Sequence, residues 1–372
     1  MRSVGKSPFL RNHYSVLSNI IQKRIQPIIN IPASILSSNR PLVLDLNLIA
    51  TNKCTQKCPM CNSGLLYQEN PATITLKEFK RFERLLRPYL IPTCTISGGE
   101  PTIAPDMPQI LEYAKKSFPL GVQILTNLYG STTRIKRVMG SALRNNVNIS
   151  VSFDGFGNVA DQLRNARNVS DRVVSHIKMV SEMRKELRSS SALNIHTVLS
   201  DLNLHQLPEI VAFSKELGWA QSVAPVNHFF YLPQDDTIPK LSYSRDLIDV
   251  CNLLLKQPHL TQLHAFIRGI PDYACSRAPK YCPYLSRILK TFKLFLEPNG
   301  DISLCDRVSI GNLLDMPLFN MFQGPIYEER IRNFSECQGC WLACFDEQYL
   351  AVKPANLVRL DFLNRRPKDY KL

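Results

Sequence analysis

The sequence lacks the features that would place it in a membrane or outside a cell. No run approaches the roughly 18 apolar residues of a membrane-spanning helix. The opening "MRSVGKSPFLRNHYS" is basic but has no apolar stretch of the kind found in a secretory leader. The expected location is therefore the cytoplasm. No internal repeat is evident, so a repeat array is not expected. Acidic residues are in deficit: 31 Asp and Glu against 45 Lys and Arg give a formal charge of +14. Nucleic acid, an anionic membrane surface and an acidic or phosphorylated substrate all suit that charge, and so does a solvated basic surface. The basic residues are spread along the whole chain, so no single binding stripe stands out. Histidine is sparse, with 7 in the chain. His196 reads as core within a strand. His228 and Tyr231, past the sixth strand, are candidates to face a substrate, but nothing selects them.

Cysteine is plentiful, with 11 in 372 residues. The cysteines are clumped, which fits a reduced compartment with thiols reserved for metal better than a disulfide framework. The length exceeds that of a usual single domain. Hydrophobic residues at 44% and charged residues at 20% are ordinary for a globular chain.

Residues 1–40 form an amphipathic, basic extension. In "SVLSNIIQKRIQPIINI", Leu17, Ile20, Ile21, Ile25 and Ile28 keep helical spacing, Lys23 and Arg24 lie off that face, and Pro27 interrupts it. Such a segment docks on the main domain or makes weak contact with a membrane surface. From Pro41 a rhythm of short β-rich runs and amphipathic stretches begins. Strands are expected at 42–50, 94–97, 122–127, 147–154, 194–199 and 222–227. Helices are expected near 76–87, 106–117, 131–144, 170–188 and 204–217, with Thr75 and Ser170 as N-caps and Gly121 and Gly218 after helices. This alternation implies parallel βα units, which carry their chemistry at the C-terminal ends of the strands. After about residue 235 the rhythm stops. A helix near 243–256 leads into a cysteine-rich tail, and "NRRPKDYKL" closes the chain. The expected division is 1–40, a core over 41–240, linker helices and a tail domain over 241–350, and an end segment over 351–372.

"CTQKCPMC" (54–61) follows the first strand and offers three thiolates, one short of a closed zinc site. Thiolates favour zinc or iron–sulfur clusters. The trio is either a zinc site completed by Cys94 or a histidine, or a cluster with one iron left open to a small molecule. "SGGEP" (97–101) ends the second strand and reads by itself as a turn. "SVSFDG" (150–155) ends the fourth strand, and "DQLRN" (161–165) follows it. The tail holds Cys275, Cys282, Cys305, Cys337, Cys340 and Cys344, with Gly300 in "EPNGDISLC" at a hairpin turn.

"CTQKCPMC" after the first of six βα units resembles the radical S-adenosylmethionine (radical SAM) superfamily. The resemblance implies a partial (βα)6 TIM-like barrel in which Cys54, Cys58 and Cys61 bind a 4Fe–4S cluster. The open iron chelates S-adenosylmethionine, and the cluster passes it one electron. The products are methionine and a 5′-deoxyadenosyl radical that abstracts a substrate hydrogen. Met60 takes the place of the aromatic residue often found near the adenine. Gly98 and Gly99 permit the close backbone approach that binds the methionine amino group, and Glu100 steadies the site. Ser152 reaches the ribose or carboxylate, and Arg164, in the step from Asp161 to Arg164, pairs the carboxylate. Thr126 and Asn127 are candidates for lining the pocket. An electron donor such as flavodoxin or ferredoxin is implied.

The tail resembles the auxiliary-cluster domains called SPASM and Twitch, with Cys282, Gly300, Cys305, Cys337 and Cys340 in the matching order. One auxiliary 4Fe–4S cluster is expected, with Cys282 and Cys344 competing for the last position; a structural zinc knuckle is the other reading. The expected function is therefore oxidative radical chemistry on a peptide or small molecule, including lipid precursors. Its alternative is a zinc-dependent nucleic-acid-binding protein, although nucleic acid is not expected as a partner. The substrate and catalytic residues are not legible.

Overall fold

The structure, a computed structural model, describes residues 42–61, 71–227, 238–278, 282–285, 291–337 and 339–342. The amphipathic extension, His228, Tyr231, Cys344 and the basic end segment lie outside the described residues.

All six expected strands form: β1 (Leu42–Ile49), β2 (Thr93–Ser97), β3 (Gly121–Thr126), β4 (Asn148–Ser152), β5 (Leu193–Leu199) and β6 (Ala220–Pro225). Each pairs in parallel with its sequence neighbour. Between them run α1 (Leu76–Leu86), α2 (Met107–Ser117), α3 (Thr132–Arg144), α4 (Gly157–Arg164), α5 (Val169–Glu186) and α6 (Leu207–Glu216). The sheet stays open, as a partial barrel.

The strand pattern explains the layering. In β1, Leu46 and Leu48 are fully buried, while Asp45 and Asn47 fall on the alternate face. That second face is knitted by hydrogen bonds. Asp45 accepts from Thr93 Oγ1 at 2.8 Å and Thr95 Oγ1 at 3.0 Å, and Ser97 Oγ donates to Asn47 Oδ1. Asn194 Nδ2 donates to Ser150 Oγ and Ser222 Oγ at 2.9 and 2.8 Å. A closed barrel fills its interior with branched apolar side chains; here the corresponding face is polar. His196 belongs to this row. It is half-buried, with Nδ1 2.9 Å from Ser222 Oγ, and is not the core residue expected.

Local chemistry sets the helix ends. Thr75 forms a capping box: its Oγ1 accepts from Glu78 N at 3.2 Å, and its backbone N–H donates to Glu78 Oε2 at 2.7 Å. Ser170 is not a cap. It is buried in the first turn of α5, and Asn168 occupies the cap position with φ 54°. The acceptors come from Asp161, whose oxygens take the N–H groups of Asn168 and Val169 at 2.8 and 2.7 Å. Segment 161–165 is thus largely helix, and its acidic residue serves the next helix. The outer edge of β6 is covered rather than bare. Gln221 N donates to His259 O, Thr261 N donates to Gln221 O, and the Gln262 amide bonds both backbone groups of Val223 at 2.6 Å.

After α7 (Arg245–Leu255), capped by Ser244, comes α8 (His264–Ala274), a second linker helix. Strand β7 (Thr291–Leu296) pairs in parallel with β1, and β8 (Asp301–Ser303) and β9 (Ser309–Asn312) continue antiparallel, giving the order β6-β5-β4-β3-β2-β1-β7-β8-β9. The cysteine-rich tail therefore extends the barrel sheet. Lys293 of β7 pairs with Asp45 at 3.1 Å, both largely buried. Gly300 turns the expected hairpin with φ 93°, and a Cβ there would come within 2.8 Å of the Phe82 ring on α1. The short α9 (Leu318–Met321) and α10 (Pro325–Glu336) follow. Among the described residues, no helix is long and apolar enough to cross a membrane.

Candidate functional site

The ends of β1 to β4 bring the expected residues together. Gly99 N donates to Thr51 O at 2.7 Å and Glu100 N to Lys53 O at 2.8 Å. The glycine turn after β2 thus props the start of the cysteine loop. Gly98 has φ 138°, and a Cβ on it would meet the Thr51 backbone; a Cβ on Gly99 would collide with the Lys53 carbonyl. The close approach these glycines permit is therefore to the cysteine loop itself, a reason the sequence did not disclose.

Glu100 is fully buried, and its carboxylate is an internal clamp. Oε1 accepts from Thr126 Oγ1 at 2.7 Å and Thr102 N at 3.1 Å, and Oε2 accepts from Asn127 N at 2.8 Å. Burial pushes its pKa up, and these hydrogen bonds oppose that. Asn127 continues the chain of contacts: its Nδ2 lies 3.7 Å from Cys54 Sγ and 3.3 Å from Thr55 Oγ1. Glu100→Gln would turn an amide N–H₂ toward backbone or hydroxyl donors. The expected cost is about 1–3 kcal/mol of stability for each group left unsatisfied, read as a lowered midpoint in chemical denaturation.

On the β4 side, Arg164 is buried rather than solvated. Its Nη2 pairs with Asp154 Oδ2 at 2.5 Å, and its Nη1 lies 3.9 Å from Cys58 Sγ. Burial disfavours the cation, but Asp154 and Cys58 outweigh it and raise the guanidinium pKa. Asp154, missed in the sequence although it sits in "SVSFDG", is held by Val198 N on Oδ1 at 2.8 Å. Ser152 is half-buried at the end of β4, in register with His196. Met60 is half-buried in the turn before Cys61. Cys94 is buried on β2 and makes no part of the trio.

In the tail, Cys305 lies in electrostatic range of Cys282, Cys337 and Cys340, and burial pushes its thiol well up. Gly339 N donates to Cys337 Sγ at 3.4 Å. Trp341, next to Cys340, is 2% exposed, and its Nε1 donates to Phe266 O of α8 at 2.9 Å. Cys275 stands apart, bonded to Pro271 O and Arg277 Nε.

Residues 48–214 match the family model of the radical SAM superfamily, and residues 289–341 match the SPASM model, an iron–sulfur cluster-binding domain. The chain carries a radical SAM domain and a SPASM domain. Its radical SAM domain brings a 4Fe–4S cluster and S-adenosylmethionine, and its SPASM domain brings auxiliary iron–sulfur. The PqqA peptide cyclase of Rhodopseudomonas palustris is 26% identical over 286 residues, 74% of this chain and 70% of the relative. That of Bradyrhizobium diazoefficiens is 25% identical over 248 residues, 65% of this chain, and the match spans only 61% of the relative's own length. Streptococcus suis SuiB bound to S-adenosylmethionine shares the fold, with a TM-score of 0.58 at 19% identity over 89% of this chain and 79% of that one.

The residues present fit these cofactors. Desolvation by the surrounding loop, with smaller contributions from the Glu100 and neighbouring cysteine charges, pushes the Cys54 thiol up to about 12 even though its side chain stays exposed, and burial raises Cys58 as well. Such a trio takes up thiolate form readily only around a cation. Among the described residues, no three metal-binding side chains close tightly enough to grip a single ion. Within each set the thiols lie in electrostatic range of one another. Two buried donors beside the trio, Gln56 Nε2 and Arg164 Nε, have no hydrogen-bond partner and suit an anionic guest.

Proposed function

We propose that this radical SAM chain oxidatively modifies a peptide. The peptide class comes from the relatives named PqqA peptide cyclase. The observation that carries the reading is the pairing of two thiol sets: an open trio over the glycine turn, and three thiols gathered around Cys305.

Cys54, Cys58 and Cys61 are the residues that would hold the 4Fe–4S cluster to which S-adenosylmethionine binds. When bound, such a cluster would supply one-electron reduction of S-adenosylmethionine, and with it hydrogen abstraction from the substrate, the electron coming from a carrier such as flavodoxin or ferredoxin. Glu100 keeps the glycine turn and Asn127 in place. Gly98 and Gly99 keep the cysteine loop close to that turn. Ser152 offers a hydroxyl at the strand end for the ribose or carboxylate, and Arg164 Nε is the donor left over for the carboxylate. Met60 is the apolar neighbour assigned to the adenine. Cys282, Cys305, Cys337 and Cys340 would hold one auxiliary cluster, which makes Cys344 surplus. Four thiols leave no iron open, so the role given to this site is electron acceptance. A peptide that loses a hydrogen atom, then one electron and one proton, is oxidised by two electrons and gains a new bond or unsaturation.

Anaerobic reconstitution followed by reduction with S-adenosylmethionine tests the first half. The wild type is expected to yield 5′-deoxyadenosine, and a variant with Cys54, Cys58 and Cys61 replaced by alanine is expected to yield none. Product from the triple variant would remove the reading.

A further inference from the structure

Two side chains outside the cysteine loop donate to its sulfurs, and they differ in charge. Asn127 Nδ2, neutral, lies 3.7 Å from Cys54 Sγ. Arg164 Nη1, cationic, lies 3.9 Å from Cys58 Sγ. The cation is not alone, because Asp154 Oδ2 sits 2.5 Å from Nη2, and the pair's side chains are 11% and 0% exposed. Asp154 is fixed in turn by the β5 backbone through Val198 N. A salt bridge that only held the strands together would have no need to reach a sulfur, and the Asp154–Val198 bond already ties β4 to β5.

We infer that the Asp154–Arg164 pair sets the reduction potential of the centre held by Cys54, Cys58 and Cys61, with Asn127 as a weaker, neutral control. This rests on the reading of those three cysteines as cluster ligands. A thiolate-bound iron centre gains one negative charge when reduced. A donor or cation on a ligating sulfur stabilises that form and raises the potential, and hydrogen bonds to sulfur and local charge are recognised levers on it. In a buried setting such charges are poorly screened. Asp154 works against Arg164: it holds the guanidinium in place and cancels part of its field. Toward the cluster Arg164 and Asp154 act as tuning groups, through Nη1, Nη2 and Oδ2 rather than through the Nε assigned to the S-adenosylmethionine carboxylate.

The sign of the effect is the test, because the two members of one pair push in opposite directions. Arg164→Met removes the cation and donor and leaves Asp154 unopposed, so the midpoint is expected to fall. Asp154→Asn leaves the cation unopposed, so the midpoint is expected to rise. Asn127→Ala is expected to lower it by less than Arg164→Met does. The experiment is an anaerobic redox titration of the reconstituted full chain, following the paramagnetic signal that added S-adenosylmethionine alters, with iron per chain measured on each sample. A merely structural pair would give iron loss or shifts of one sign in both variants, and that overturns the inference. Unchanged midpoints at full iron content also overturn it. Should Arg164→Met lose its iron, the other two variants decide: a rise for Asp154→Asn with a fall for Asn127→Ala supports the inference, and any other result refutes it. A wild type with no signal responsive to S-adenosylmethionine refutes the cluster reading itself.

Discussion

Replacing Gly99 by alanine is expected to remove the iron held by Cys54, Cys58 and Cys61 while the tail keeps its own. The new methyl group would fall on the carbonyl of Lys53, one residue ahead of Cys54. Backbone cannot swing aside as a flexible side chain does, so one of two segments must shift. A shift breaks the bonds from Gly99 N to Thr51 O and from Glu100 N to Lys53 O, at 2.7 and 2.8 Å. Overpacking of this kind costs about 1–3 kcal/mol, and the strain falls on the loop that must hold three thiols around one body. Iron per chain is expected to drop by about half, and 5′-deoxyadenosine formation to vanish, with only a small change in melting temperature. Iron and sulfide analysis beside a thermal melt checks this. Full iron with normal S-adenosylmethionine binding would show that the turn tolerates a side chain.

Trp341→Ala should do the converse, emptying the tail site and destabilising the fold. The indole is 2% exposed and stacks on Phe266, with centroids 5.7 Å apart at 17°. Trp341 N donates to Asn227 Oδ1 at 2.8 Å, and Nε1 donates to Phe266 O. Gly269 of α8 leaves the space the ring fills, since a Cβ there would overlap it. Truncating a buried aromatic of this size costs about 3–5 kcal/mol, and here it also frees Cys340. The expected outcome is a clearly lowered melting temperature, loss of the tail's iron, and 5′-deoxyadenosine formation that persists in whatever protein stays folded at low temperature. Retention of all iron would show that the thiols hold their positions without this anchor.

The sequence disclosed what depends on local pattern. The six strands, the Thr75 cap and the two thiol sets each rest on residues close together in the chain, and periodicity and spacing report such features. What it hid depends on contacts between distant segments. His196 looked like core because strand alternation alone does not say which face is polar. Asp154 stood only at a strand end, yet its role comes from Arg164 and Val198. Ser170 looked like a cap, but Asp161 of the preceding helix, α4, does that work. The packing of Gly99 against the Lys53 carbonyl likewise joins segments far apart in the chain. The seat of Trp341 depends on α8, a helix distant from it in the chain, and Cys344 lies beyond the described residues.

The pairing of β7 with β1 bears on how the molecule is made. Leu46 of the first strand is in register with Leu294 of the seventh, so that edge of β1 has no partner until β7 has left the ribosome. At about 5–20 residues per second, the wait between the two strands is on the order of ten to fifty seconds. Throughout it an apolar parallel strand keeps one hydrogen-bonding edge open, a template for pairing with other nascent chains. High contact order at this seam makes it a slow step of folding, so the yield of soluble protein should respond to translation speed and chaperone supply more than native stability alone would suggest.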